Sequence, residues 1–85
     1  MRLANRMDLR EVFATNLRQL RHNKGISQED LAYEADINRT YISKLEKGMS
    51  YPGLEIIGKL ATVLGVEPAA LLKLPARKKK KPSSR

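Results

Sequence analysis

Residues 27–48 read SQEDLAYEADINRTYISKLEKG, and this stretch predicts two short helices joined by a tight turn. Ser27 is a suitable N-cap, because its hydroxyl can accept from the backbone N–H of Glu29 or Asp30. Acidic residues in a first turn also suit the positive end of a helix. The first helix is therefore expected to begin near residue 28, with one narrow apolar stripe made of Leu31, Ala32 and Ala35.

The second helix of the pair is expected after Asp36, since Asp is one of the few residue types that tolerate a left-handed turn conformation. Asn38 is a second N-cap, and Gly48 is well placed to end the helix. Ile42 and Leu45 recur three residues apart on the inward side. The outward side then carries hydrogen-bond donors, namely Arg39, Thr40, Ser43, Lys44 and Lys47.

This outward row has the chemistry of a major-groove reader. Arg and Lys match the O6 and N7 atoms of guanine, while Thr can bond a base edge or pack its methyl group on thymine. For any one of these residues, a solvated helix face is the more usual explanation. The N-cap, the two-helix spacing and the donor row together favour binding to double-stranded DNA.

The same residues match a known family. The matching positions are Gln28, Glu29, Leu31, Ala32, Ile37, Arg39, Tyr41, Ile42, Ser43, Leu45, Glu46 and Gly48. Together with LRQLRHNKGISQEDLA before them and YPGLEIIGKLATVLGV after them, they resemble the helix-turn-helix domain of Cro and the phage C1 repressors over residues 8–74. The resemblance implies an all-α, compact, lambda-repressor-like fold of five helices, with the motif as helices two and three.

The resemblance also implies roles for single residues. Base reading is expected of Arg39, Thr40 and Lys44, to which the outward row adds Ser43. Contact with the DNA backbone is expected of Gln28, Asn38, Tyr41 and Lys47, and also of the loop that carries Tyr51. Gln28 is further expected to support the start of the recognition helix, and Arg21 and Glu46 to form a salt bridge. For Tyr41, packing against its own helix is an equal alternative, and Tyr33 is assigned to packing or to the surface.

The sequence departs from the usual family pattern at three positions. Asp36 stands where the turn commonly has Gly, and Gly53 stands where the fourth helix commonly has a Ser or Thr cap. Gly58 lies inside that helix, where Gly costs about 1 kcal/mol relative to Ala. It either allows another backbone to approach closely or is a neutral surface substitution.

The helices outside the motif predict a core and a second interface. Helix one carries an apolar series of Leu9, Val12, Phe13, Leu17 and Leu20, and helix four carries two apolar stripes, which is more than one small core requires. Pro68 suits the first turn of a last short helix. We expect a homodimer interface that includes Val66, Leu71, Leu72 and Leu74, with closure of the monomer's own core as the alternative.

Composition indicates one small domain with a basic end. The 85 residues carry a net charge of +8, and six of the seventeen basic residues lie in the last nine positions. We therefore divide the chain into an N-terminal extension (1–7), the helix-turn-helix domain (8–74) and a basic, disordered tail (75–85). The tail is either a salt-sensitive arm for phosphates or a solubilising segment.

Other classes of function find little support. The chain has no Cys, and its one His, His22, stands on a polar helix end, so we expect no metal, no cofactor and no enzymatic activity. We also expect no membrane span or signal peptide, hence a soluble, cytoplasmic and nucleoid-associated protein.

The expected function is sequence-specific regulation of transcription, by default repression, by a homodimer on a pseudo-palindromic operator. A restriction-modification controller and an antitoxin are alternatives with the same DNA-binding mode. RNA polymerase or a toxin would then be a further partner. A protein-interaction adaptor that touches nucleic acid only through its basic tail is the alternative of another class.

Overall fold

The structure, a computed structural model, describes residues 8–74, and every regular element among them is a helix. The elements are α1 (Leu9–Lys24), α2 (Gln28–Ala35), α3 (Arg39–Glu46), α4 (Leu54–Leu64) and a 3₁₀ helix (Pro68–Leu72). The all-α prediction is confirmed. None of the helices in residues 8–74 is long and apolar enough to cross a membrane. The predictions for the extension (1–7) and the tail (75–85) lie outside the described residues.

The predicted fifth helix is a short 3₁₀ helix, so the count of five α-helices is not confirmed. The segment has only five residues, and Lys73 after it is extended, which leaves no room for a stable α-helix. The side-chain amide of Asn16 on α1 donates to the backbone carbonyls of Leu71 (2.9 Å) and Lys73 (2.9 Å). These bonds satisfy carbonyls at the end of the segment and hold it against α1.

Helix α1 forms one side of the core, as its periodicity predicted, with one exception. Asp8 caps its start by accepting from the backbone N–H of Arg10, and Gly25 ends it in the left-handed conformation at φ 76°. Val12, Phe13 and Leu17 are buried and Leu20 is partly buried. Leu9 is 51% exposed, contrary to expectation, because it is the first residue of α1 and lies past the edge of the core.

The helix-turn-helix segment follows its local sequence signals closely. Ser27 accepts from the backbone N–H of Asp30, and the Asp30 carboxylate accepts in return from the N–H of Ser27, which is a complete capping box. Asp36 adopts φ 57° and ψ 50° and supplies the left-handed turn that Gly usually provides. Asn38 caps α3 by accepting from the N–H of Thr40 at 2.7 Å. The predicted caps and turn are therefore confirmed.

Helix α4 buries parts of both its apolar stripes. Ile57, Leu60, Ala61 and Leu64 are buried, whereas Leu54 at its start is 85% exposed. Gly53 takes the N-cap position without a side-chain bond. A Cβ on Gly58 would meet nothing within 4 Å, so this glycine permits no close approach of a backbone within the described monomer.

One of the four residues predicted for the dimer interface belongs to the monomer's own core. Leu71 has no exposed surface, because the 3₁₀ helix packs between α1 and α4 and directs this side chain inward. Assigning Leu71 to a dimer interface is therefore wrong. Val66 is half-buried against the same core, while Leu72 and Leu74 are 40% and 53% exposed.

Candidate nucleic-acid interface

Helix α3 presents two chemically different sides. Ile42 and Leu45 face inward with no exposed surface and anchor the helix in the core. The other side carries the predicted donors, with Arg39, Thr40, Lys44 and Lys47 exposed and Ser43 half-buried. Because α3 has only eight residues, packing of its inner side and the Asn38 cap must hold it in shape.

Asn38 uses only part of its side chain as a cap. The Oδ1 atom accepts from the N–H of Thr40, and the residue as a whole is exposed beside Arg39. The amide nitrogen takes no part in this bond and can donate to an anion. The cap thus sets the first turn of α3 and places a donor beside it.

Beneath the outward residues lies a buried ion pair between α1 and α3. Glu46 is 4% exposed, and its carboxylate accepts from Arg21 Nε at 2.6 Å and from Arg21 Nη2 at 3.1 Å. Arg21 Nη1 also donates to the carbonyl of Ile26 at 2.9 Å. The Arg21–Glu46 salt bridge expected from the resemblance is thus present. It fixes the last turn of α3 on α1.

The protonation state of Glu46 follows from these contacts. Burial raises the pKa of Glu46, but the hydrogen bonds donated by Arg21 and Gln28 outweigh burial, and the net pKa lies below its ordinary value. The carboxylate is therefore charged at neutral pH and remains an acceptor for both partners.

Gln28 belongs to the same network. Its side-chain amide donates to Glu46 Oε1 at 3.0 Å, so that α2 is also joined to the end of α3. This bond reaches the last residue of the helix, and the expected support of the start of α3 by Gln28 stays a prediction. Gln28 is half-buried at the first position of α2, and its contact with a DNA phosphate remains a prediction.

The aromatic residues separate into packing and surface positions. Tyr41 is half-buried against the core, and its hydroxyl donates to the carbonyl of Tyr51 at 3.4 Å, which supports the packing alternative without removing the residue from the surface. Tyr51 is 66% exposed in the loop after α3. Tyr33 is 87% exposed on α2 and is a surface residue.

Charge is distributed unevenly over residues 8–74, although their sum is zero. They hold nine basic and nine acidic residues. Helix α2 carries the exposed acidic residues Glu29, Asp30 and Glu34 and no basic one, whereas the exposed charges of α3 are all basic. The outward side of α3 is therefore positively charged, and this sign favours the approach of a polyanion.

Three contacts among residues 8–74 were not predicted from the sequence. Arg18 on α1 donates to the backbone carbonyl of Glu46, and Asn16 donates to the carbonyl of Leu71 in the 3₁₀ helix. Asp8 forms a salt bridge with Arg10. Only one of them has a clear sequence signal, because Asp8 followed three residues later by Glu11 is an N-cap pattern. Arg18 lies one helical turn before Arg21, and this spacing places both on one face of α1.

Known proteins resemble this chain in both sequence and structure. The helix-turn-helix family matches residues 17–71. Control protein C.BamHI of Bacillus amyloliquefaciens is 44% identical over 66 residues, which cover 76% of this chain and 82% of that protein. The solved structure of the hypothetical transcription factor NHTF from Neisseria has a TM-score of 0.77 at 46% identity and covers 80% of this chain and 76% of that one. The restriction-modification controller protein C.AhdI from Aeromonas hydrophila has a TM-score of 0.71 at 42% identity, covering 73% and 94%.

Proposed function

The chain belongs to the helix-turn-helix family of the Cro and C1 type, and on that premise we propose that it regulates transcription by binding double-stranded DNA sequence-specifically. The observation that carries the proposal is the division of α3 into two sides. Ile42 and Leu45 are wholly buried, while four of the five outward donors are exposed. A helix held in this way can enter a major groove with its donors first.

Base reading falls to the outward row. Arg39, in the first turn of α3, and Lys44, one turn later, would donate to guanine O6 and N7. Thr40 would bond a base edge or pack on a thymine methyl group, and Ser43 would bond either kind of edge. The half-buried position of Ser43 suits a contact at the centre of the groove, where a short side chain is sufficient.

Backbone contacts fall to the residues around this row. Asn38, Lys47 and Tyr51 are exposed beside α3, and Tyr41 and Gln28 are partly exposed at its edges. Contacts of this kind set the register of the protein on the duplex without reading its sequence.

The chain would act as a homodimer. Leu72 and Leu74 are 40% and 53% exposed at the C-terminal end of residues 8–74, and Val66 is half-buried. Covering these residues with a second copy would place two α3 helices about 34 Å apart, on successive turns of one face of the duplex.

Regulation would then depend on the amount of protein. Coupled dimerisation and operator binding make occupancy depend steeply on concentration. We propose repression by blocking polymerase as the default outcome, in the cytoplasm and without enzymatic activity.

Selection of bound sites from a random duplex pool, at about 150 mM salt, tests the proposal, because nonspecific phosphate contacts are already weakened there. We expect an inverted repeat with half-site centres about 10 to 11 base pairs apart. Arg39→Ala should then cost about 1–3 kcal/mol on the selected site and relax one base position, whereas Lys59→Ala on α4 removes the same charge and should leave the preference unchanged. A pool without enrichment would instead favour a protein-interaction adaptor that touches nucleic acid only through its basic tail.

A second candidate, control of a restriction-modification system, is favoured by the similarity to C.AhdI, which is itself a restriction-modification controller protein. It makes the same contacts with DNA and differs in its target. The selected operator should then lie upstream of a restriction or methyltransferase gene in the source genome. An operator found only upstream of unrelated genes would exclude the controller role and leave the general regulator.

A further inference from the structure

The loop that follows α3 lies against the first turn of α1. The guanidinium carbon of Arg10 is 4.9 Å from the centre of the Tyr51 ring, within the range of a cation–π contact. A Cβ on Gly48, in the same loop, would lie 3.2 Å from Glu11 Oε2 and 3.7 Å from the carbonyl oxygen of Arg10. The first turn of α1 and the loop are therefore in direct contact at two points.

Arg10 is held in place from its other side. Its Nε and Nη2 atoms donate to the two carboxylate oxygens of Asp8, each at 3.2 Å, and Asp8 is itself fixed as the N-cap of α1. The side-chain hydrogen bond from Arg10 holds the pKa of Asp8 below its ordinary value, so the carboxylate is charged at neutral pH. A long side chain that normally samples many rotamers is thus directed onto one ring.

Tyr51 is held at its backbone as well. Its carbonyl accepts from the hydroxyl of Tyr41 at 3.4 Å, and Tyr41 belongs to α3. The loop therefore contacts both the recognition helix and α1, while the ring of Tyr51 remains 66% exposed. The ring of Tyr51 is exposed, and its loop is held by Tyr41 and Arg10, so the ring is already positioned to contact a binding partner.

We infer that Arg10 is a positioning residue, which stacks on Tyr51 and holds the loop after α3 in the orientation that meets the DNA backbone. The inference rests on the proposed function, because it assumes that this loop contacts DNA. Arg10 reads no base in this role. Its loss frees the loop and weakens binding to every duplex alike.

The expected size follows from the kind of contact. A partly exposed cation–π pair contributes an amount that corresponds to about a two- to fivefold change in affinity at each half-site. Arg10→Ala should lower the affinity by this factor, on the selected operator and on an unrelated duplex. Tyr51→Leu should lower it by at least this factor on both, because it also removes a ring proposed to contact the DNA backbone. The double variant should bind no more weakly than the weaker single variant. Tyr51→Phe keeps the ring, so Arg10→Ala should still lower the affinity when it is added to this variant.

Arg10→Ala would also lower the affinity if Arg10 contacted a phosphate directly or if it shielded the phosphates from the Asp8 carboxylate. These two explanations differ from positioning in salt dependence and in additivity with Tyr51→Leu. If Arg10 itself bound a phosphate, Arg10→Ala would reduce the slope of log affinity against log salt by about one per contact, whereas positioning leaves the slope at the value of the Lys59→Ala control. If Arg10→Ala acted by leaving Asp8 to repel the phosphates, its effect would add to that of Tyr51→Leu. Either result would overturn the positioning role.

A readout without DNA separates this inference from the proposed function. In the NMR spectrum of the free protein, stacking on Tyr51 should shift the Arg10 Cδ and Nε protons upfield, and the shift should vanish in Tyr51→Leu and persist in Tyr51→Phe. Absence of the shift in the wild-type protein would overturn the contact itself. A wild-type protein that shows the shift but binds no duplex would refute the proposed function and reduce the contact to packing. An Arg10→Ala variant that binds the operator as tightly as the wild type would refute only the positioning role.

Discussion

Replacing Arg21 by Met removes the positive charge that faces the buried carboxylate of Glu46. The variant loses two hydrogen bonds to the carboxylate and one to the carbonyl of Ile26, and Glu46 keeps only the bond from Gln28. The side chain of Glu46 is 3% exposed, so water cannot replace the lost partner. Removing one member of a buried ion pair costs about 3–5 kcal/mol, and a domain of this size has a total stability of only about 3–10 kcal/mol. Arg21→Met should therefore lose a large part of its free energy of unfolding at pH 7.

Urea unfolding followed by the helical circular dichroism signal measures this loss. A second variant, Arg21→Met with Glu46→Leu, replaces the pair by apolar side chains and should recover most of the stability. Lys24→Met, at the exposed end of the same helix, is the matched control and should change the stability by less than about 0.5 kcal/mol.

The pH dependence of stability gives the sharper test, because the pKa of Glu46 should be shifted in opposite directions in the wild type and in Arg21→Met. In the wild type the pKa of Glu46 is lowered, so its contribution to stability is present above the ordinary pKa and is lost as the pH falls through the lowered value. In Arg21→Met burial dominates and raises the pKa of Glu46, so the deficit should shrink as the pH falls towards about 5. A loss below about 1 kcal/mol at pH 7, or a deficit that does not shrink in acid, would refute the assignment of this pair as a buried ionic contact.

Three further predictions address other parts of the chain. Gly48→Ala should cost about 1–2 kcal/mol in urea unfolding, because φ is +71° and the new Cβ would lie 3.2 Å from Glu11 Oε2. Deletion of residues 76–85 should lower affinity for every duplex and flatten the salt dependence in binding titrations; an unchanged slope would contradict the arm. Leu74→Glu should shift the protein towards monomer in sedimentation and weaken binding to a full operator more than to a half-site, and a wild-type protein that is itself monomeric at tens of micromolar would exclude the dimer.

The motif was predictable from sequence because its signals are local. Ser27, Asp36 and Asn38 act on backbone groups within four residues of themselves, and the structure shows each at the predicted cap or turn. The inward positions Ile42 and Leu45 follow from helical spacing alone. Signals of this range need no knowledge of the tertiary structure, and for this reason the predicted caps and turn agree with the fold.

The errors concern residues whose environment is set by distant parts of the chain. The apolar character of its segment predicts an interface position for Leu71, but the 3₁₀ helix directs it into the core between α1 and α4. The hydrogen bond from Gln28 on α2 to the end of α3 likewise has no signal in the local sequence. The contact of Arg10 with Tyr51 joins residues far apart in sequence, and no pattern within one helix reveals it.

The two sides of α3 separate stability from surface chemistry within eight residues. Stability depends on Ile42, Leu45 and the Glu46 carboxylate, whereas Arg39 and Lys44 contribute to no described core or ion pair within residues 8–74. The outward residues of α3 can therefore be exchanged while the inward residues are kept. Grafting new outward residues, with Asn38 and the inward set retained, should yield folded variants whose melting temperatures cluster together while their preferred duplexes diverge.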